Sequence, residues 1–576
     1  MPKSNPGTPI AQPAAWSILA RRELTALEAA CAAAAITGFA LCIGLQYGRG
    51  NQWQYLLHGL HAADPAFLAK DWFTTRTRAH HGAFNLLVAW SASTGRPHVV
   101  LGLVNAGMSI TLAMTLVMLA RRFSPQPLVS FAAMLVLVAF CRVDGVGGSH
   151  LLLPYFVPSV FAGVMTVVAL ACWIVDRPRA AGIVAAIGCA MHANYLLLVG
   201  PFWVLVWLLT RAARRPGPSR LASLHELSWL LAPWLLAWLP HVPYFLALAS
   251  DSSASAPARR VFFDIYAPMH YRPDTWPARP WLDLALILSG GAWSAVARRA
   301  TYGVRERALV LALLVILTGG ALFTMALPID AVAAAYPWRL MPLLELAAFV
   351  AIGVAIIPEG EPVGRWVLRS AACVLAVLAC RMDDRAAVLL AMTAIAAAIG
   401  AWWPARRAAP AAGIAVLLVL GADLGRRGLW RRDAFGAAEP PAAASLFAWC
   451  REHTPRDAVF IIPPDLASFR LQARRAIVID WKCMPLLPSD QLDWMRRHER
   501  QAARVILRES DAAAGYATLD AARAISLADE FDAEFAVIDL RRHAGDLTGM
   551  ARIFQNDRYA VHAIRGGVSE AAIAAR

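Results

Sequence analysis

Roughly the first 425 residues of this chain are a succession of apolar segments, each close to the length that crosses a bilayer and each ended by a polar turn. The remainder lacks that pattern. A chain so built must satisfy its backbone polar groups within each segment, so the expected fold is a helical bundle in lipid. Composition agrees. Hydrophobic residues make up 59% and charged residues only 16%, and mean hydropathy is +0.51. The net charge of +15 does not indicate nucleic acid, because the arginines fall in short turns between apolar runs. Such placement marks the cytoplasmic side of membrane proteins.

Spans are expected at 26–46, 98–120, 126–141, 156–175, 222–249, 281–297, 307–327, 339–357, 366–380, 386–403 and 409–424. The stretch 181–210 has basic flanks at both ends and is expected to be two short helices broken at Gly200-Pro201. About 11–13 transmembrane helices result. The basic turns 121–122, 177–179, 211–220, 298–307 and 404–407 then share the cytoplasmic side. Loops 47–97, 142–155, 250–280 and 328–338 share the other side with the C-terminal region. The expected organisation is a cytoplasmic segment 1–24, a multispan domain 25–425 and an extracytoplasmic domain 426–576.

That last domain reads as α/β. Short apolar runs at 457–463, 475–480, 534–540 and 559–564 alternate with helical patterns at 442–452, 489–508 and 518–530. The alternation predicts a largely parallel sheet. The Pro463-Pro464-Asp465 turn follows a strand, where open α/β sheets carry ligand loops. Cys450 and Cys483 both lie here and could pair.

An ionisable group near lipid needs a partner or a task. The first large loop is the densest in such groups, with Asp64, Asp71, His80 and His81 among aromatics. Asp64-Pro65 reads either as the start of a second helix, with Asp64 as its cap, or as a functional acid. Asp71 reads either as a catalytic or binding acid, or as half of a salt bridge to a nearby arginine. His80 and His81 are candidates for hydrogen bonds to phosphate or substrate. A divalent metal there would need a third ligand, such as Asp71 or His150. Arg142, Asp144 and His150 flank a Gly-rich turn in the next loop. His192 sits within the broken stretch 181–210, Arg272 in the aromatic loop 250–280, and Arg339 at the mouth of a span. A guanidinium at such a mouth can grip phosphate with its fork or snorkel to lipid head groups.

Taken together, NQWQYLLHGLHAADPAFLAKDWF, HHGAFNLL, YPWRLMPLLEL and TPRDAVFIIPPDLASFRLQARRAIVIDWK resemble an uncharacterised bacterial family similar to the GT-C superfamily of membrane glycosyltransferases. The resemblance implies transfer of a sugar from a polyprenyl-phosphate donor to an acceptor at the extracytoplasmic face of the bacterial inner membrane. It implies an acid of the first loop as base or metal ligand, with Asp71 the better match and Asp64 the second, and Arg339 as a donor-phosphate contact. The chain departs from the adjacent acidic pair of many such enzymes, because its two acids are seven positions apart. A non-catalytic envelope assembly factor of the same fold and a secondary transporter are the rival readings.

Overall fold

The computed structural model describes residues 25–140, 146–214, 220–251, 255–327, 329–355, 414 and 439–564. Seven helices among them are long and apolar enough to cross a membrane: Ala26–Ile43, Pro97–Phe123, Ala193–Ala213, Ser223–Ser250, Ala278–Ala297, Val304–Ala326 and Asp330–Ala355. Shorter apolar helices occupy Pro127–Ala139, Pro158–Ile174 and Pro178–Met191. The protein is therefore a membrane protein, mostly helical, with a small sheet domain at its C-terminal end. The spans expected at 366–380, 386–403 and 409–424 lie outside the described residues, apart from position 414.

The stretch 181–210 is two helices, but the break lies at His192 rather than at Gly200-Pro201. His192 is extended, with φ −147° and ψ 117°, and serves as end of one helix and start of the next. Pro201 stays inside the second helix. A bundle tolerates such a proline because neighbours re-satisfy the backbone. Gly200 is needed for packing, since a Cβ there would lie 2.4 Å from Trp234.

The basic turns meet at one end of the bundle. Arg305 lies 2.5 Å from Asp176 and 2.8 Å from Glu226, donates to the Trp173 carbonyl and covers the Trp173 ring. Arg214 faces Glu226, Arg179 covers Trp229, and Phe123 packs on Tyr302. The turn 404–407 lies outside the described residues.

The C-terminal domain sits at the opposite end, against the first loop. Its strands are β1 (Val459–Ile461), β2 (Ala476–Ile477), β3 (Phe535–Asp539), β4 (Ala551–Gln555) and β5 (Tyr559–Ala563), in the order β2-β1-β3-β5-β4. Only β1, β2 and β3 are parallel; β5 pairs antiparallel with β3 and β4. The sheet is thus mixed rather than largely parallel. The unexpected strand is β4, an edge strand whose exposed side chains give no apolar run. It is joined to β5 by a tight turn in which Asn556 accepts from the backbone of Arg558 and Tyr559. Helix Pro488–Ala502 packs on the sheet through Gln491, Trp494, Met495, His498, Gln501 and Ala502, spaced as one helical face. Cys450 and Cys483 are both free and buried.

Docking rests on one buried ion triad. Asp71 accepts from Arg470 Nε at 2.7 Å, and Arg470 Nη1 lies 2.7 Å from Asp480, with all three side chains fully buried. Asp71 also caps the short helix Trp72–Arg76 through Thr74 and accepts from the Ile477 amide on β2. Burial works to discharge Arg470, but Asp480 and Asp71 more than offset it and its pKa is raised. Gln54 donates to the Met484 carbonyl, Lys482 to Asn51, and Tyr266 to the Lys482 carbonyl. Arg497 covers Trp72 and Arg474 covers Phe67.

Removing one partner of such a triad leaves an uncompensated buried charge, at a cost of roughly 3–5 kcal/mol. Asp71→Asn and Arg470→Met should each lower the melting temperature of the detergent-solubilised protein. Each should also expose the 439–564 region to limited proteolysis. Wild-type stability in both variants would refute the clamp.

Candidate functional site

The polar residues gather where the first loop, the His192 break, the 255–277 segment and the 329–340 segment converge. Local geometry begins at Tyr336. It is buried yet holds φ 58° and ψ 63°, a left-handed conformation uncommon for a bulky side chain. Pro337 follows and opens the single 3₁₀ turn Pro337–Leu340 that carries Arg339. The Tyr336 hydroxyl lies 3.0 Å from His270 Nδ1 and 3.1 Å from Ser149 Oγ, which fixes the ring. Arg339 lays its guanidinium over that ring, 4.5 Å from the centroid, and its carbonyl accepts from the Tyr195 hydroxyl. Arg339 Nε is buried with no hydrogen-bond partner among the described residues.

A row of imidazoles adjoins this arginine. The rings of His80 and His81 are 4.0 Å apart, and those of His81 and His192 are 4.6 Å apart. Tyr55 flanks His80 and His81, and Tyr195 stands edge-on to His192. His241 contacts the carbonyls of Cys189 and His80, holding the break to the first loop. Nδ1 of His81 and Nδ1 of His192 are buried without partners among the described residues. Burial, with the neighbouring imidazoles, holds His81 well below the usual value of 6.5, and the charge of Arg339 acts in the same direction. Burial likewise pushes His80 down to about 3 and His270 to about 4. The cluster is therefore a neutral row of hydrogen-bonding rings beside one fixed positive charge.

The other expected residues are placed differently. Asp71 belongs to the buried triad, and no hydrogen bond, ion pair or ring contact among the described residues joins it to Arg339. Its carboxylate is engaged by Arg470, Thr74 and Ile477, the partnership of the salt-bridge alternative. Asp64 does not start a helix: residues 65–70 form turns and the next helix begins at Trp72. The capping role falls to Asp71, while Asp64 pairs with Arg456 at the surface. Arg272 is half-exposed and held by Asp264 and Asp274, at 2.7 and 2.8 Å, so its fork is filled. His150 follows Ser149, close enough to His270 to influence its charge. Arg142 and Asp144 lie outside the described residues.

The Gly-rich turn serves packing rather than an open approach. Gly147 and Gly148 have φ 64° and 57°, and a Cβ would lie 2.7 Å from Trp338 and 2.4 Å from His270 respectively. Tyr336, Tyr195, Ser149 and His241 are the members that sequence reasoning missed. The usable signal was the Tyr-Pro pair just before Trp338-Arg339. Among the described residues no group of three or more His, Cys, Asp or Glu is arranged to hold a metal ion.

Residues 442–500 match a family model described as a domain of unknown function (DUF6798). Comparison with curated proteins finds no match. Among solved structures the chain is similar to ArnT from Cupriavidus metallidurans, bound to undecaprenyl phosphate and in the apo state. Each comparison gives 15% identity, 96% of this chain, 98% of that chain and a TM-score of 0.49. It is also similar to the Archaeoglobus fulgidus oligosaccharyltransferase tethered with an acceptor peptide. There identity is 11%, coverage 89% of this chain and 68% of that chain, and TM-score 0.43.

The depressed histidines set a pH dependence. Below about 6.5 the unfolded chain protonates its histidines, whereas folded His80, His58 and His270 resist until about 3–4. The unfolded state then binds more protons, so stability is complete above about pH 6.5 and falls as pH drops toward 4. The melting temperature should decline over that window, less steeply in His80→Gln. An identical slope in the variant would contradict this.

Proposed function

We propose that the chain is a GT-C-like membrane glycosyltransferase that moves a sugar from a polyprenyl-phosphate donor to an acceptor at the extracytoplasmic face. The observation that carries this reading is Arg339, mounted on the strained Tyr336 turn with a buried, unpartnered Nε and flanked by neutral imidazoles. The sequence resemblance supports it independently. The site lies at the end of the bundle that carries the C-terminal domain, opposite the basic turns around Arg305. Read with the positive-inside rule, this supports an N-terminus in the cytoplasm and a site outside; the bacterial inner membrane is part of the same proposed reading.

In this reading Arg339 grips the phosphate with charge-assisted hydrogen bonds. The acceptor hydroxyl attacks the anomeric carbon as its proton passes to His81, the bond between that carbon and the phosphate oxygen breaks, and the phosphate leaves with the electron pair. Arg339 stabilises the charge that develops on that oxygen. His81 and His192 present unpartnered ring nitrogens, which accept from sugar or acceptor hydroxyls. A phosphate bound on Arg339 cancels the repulsion that Arg339 exerts on His81 and strengthens that imidazole as a proton acceptor. His80, His270 and His150 support the pocket wall. Asp71 acts as a positioning residue by fixing the first loop, and Asp64 by pairing with Arg456.

Native mass spectrometry of the protein with added undecaprenyl phosphate tests this. Wild type and Arg272→Ala should retain the lipid, and Arg339→Ala should bind it roughly 10–100-fold more weakly, as expected for losing one or two charged hydrogen bonds. Equal retention in Arg339→Ala, or no retention in wild type, would reject the reading.

A further inference from the structure

The C-terminal domain sends one lysine back toward the Arg339 site. Lys482 lies in the loop between β2 and helix Pro488–Ala502. Its backbone is fixed: Tyr266 donates to its carbonyl at 3.0 Å, and Trp481 and Cys483 on either side are buried. Its side chain is half-buried, and the ammonium donates to Asn51 Oδ1 at 2.6 Å. Among the described residues that is its one hydrogen bond, and no carboxylate lies within ion-pair distance. An ammonium has three donors, so two N–H groups remain to be used. Burial pulls its pKa below the usual 10.5, and Asp480 and Glu509 oppose this only from beyond ion-pair distance. Like Arg339, this cation is left without an anion.

Two runs of contacts join the two cations. Asn51 precedes the short helix Gln52–Tyr55, and the Tyr55 ring at its end packs edge-on against His80 and His81. Tyr266 stacks on Phe262, Phe262 meets Tyr271, and Tyr271 packs on the Tyr336 ring that Arg339 covers. His270, bonded to the Tyr336 hydroxyl, feels both charges: burial holds it down to about 4, and Arg339 and Lys482 push the same way. Asn51, Tyr55, Tyr266, Tyr271 and His270 are each only half-buried, so protein does not fill the space they border.

A sugar–phosphate–polyprenyl donor is a phosphodiester with one negative charge. When the bond between the anomeric carbon and the phosphate oxygen breaks, the electron pair stays on that oxygen. The departing monoester then carries two negative charges, with the acceptor's proton on His81. Arg339 balances the first charge. The second exists only as transfer proceeds, and a cation that meets it favours the transition state over the bound donor. We infer that Lys482 is a second phosphate contact of this site, supplied by the C-terminal domain and offering its remaining N–H groups to the charge that develops on the departing phosphate. The inference rests on the reading of Arg339 as the first contact.

Native mass spectrometry of the full chain tests it with two lipids, undecaprenyl phosphate (a monoester) and its synthetic methyl ester (a diester). The measurement is made at about pH 8, well above the second phosphate pKa of ~6. Wild type should prefer the monoester. Lys482→Met should bind the monoester roughly tenfold more weakly and the diester as wild type does, as expected for one lost charged hydrogen bond. Lys482→Arg, which keeps the charge, should keep the preference. Arg339→Ala should weaken both lipids. A merely structural role for Lys482 would weaken both lipids alike in Lys482→Met, and that result would overturn the inference. So would a preference unchanged in Lys482→Met, or one absent from wild type or from Lys482→Arg. Each of these can occur with Arg339→Ala still impaired, which leaves the Arg339 reading standing. Full retention of both lipids by Arg339→Ala overturns that reading and this inference with it.

Discussion

The rest of the structure depends on a carboxylate placed where lipid-side chemistry would forbid it unless it were paired. Asp71 is fully buried between the first loop and the C-terminal domain, and Arg470 is brought to it from a helix 399 positions later. Arg470 in turn is balanced by Asp480, whose loop is held by the Cys483 amide and by Trp494 and His498 on its carbonyl. The triad sums to one negative charge. On Asp71 that charge is met by the Thr74 and Ile477 amides. Few arrangements of the two domains satisfy all these bonds. A buried ionic group of this kind contributes register more than net stability, and here it fixes how the first loop presents His80 and His81.

The second organising feature is the turn at Tyr336. A left-handed tyrosine is held by its hydroxyl bonds to Ser149 and His270, and the following proline commits the chain to the 3₁₀ turn. Strain there positions Arg339 against the ring while leaving Nε without a partner. An arginine facing neutral imidazoles rather than carboxylates is electrostatically unfinished, and a bound phosphate would complete it. The two features are complementary. The triad brings one wall of the site from the first loop, and the Tyr336 turn brings the other from the 329–340 segment.

Much of this was readable from the sequence, for physical reasons that differ by level. Spans announce themselves because each must be apolar along its whole length, and the basic turns around Arg214, Arg298 and Arg305 gather at one end as charge placement requires. The break near residue 192 was displaced to Gly200-Pro201 because proline is the stronger local signal; tertiary packing on Trp234 overrides it. The edge strand β4 carries too little apolar character to show a period. Asp71 was the hardest, since a buried acid looks the same in sequence whether it serves chemistry or an arginine 399 positions away. Arg339 stands out in the sequence by its place at a span mouth, but the residues around it, Ser149, Tyr195 and His270, come from three other elements.

The central claim is that Arg339 is the phosphate anchor of a site assembled by docking the first loop on the C-terminal domain. An electron cryo-microscopy structure of the full chain in nanodiscs with added undecaprenyl phosphate tests it most directly. The account places phosphate density within hydrogen-bonding distance of the Arg339 guanidinium, bordered by His81 and His192, with Asp71 still paired to Arg470. Phosphate density away from Arg339, or an Asp71 carboxylate freed from Arg470 and turned toward the lipid head group, would contradict it.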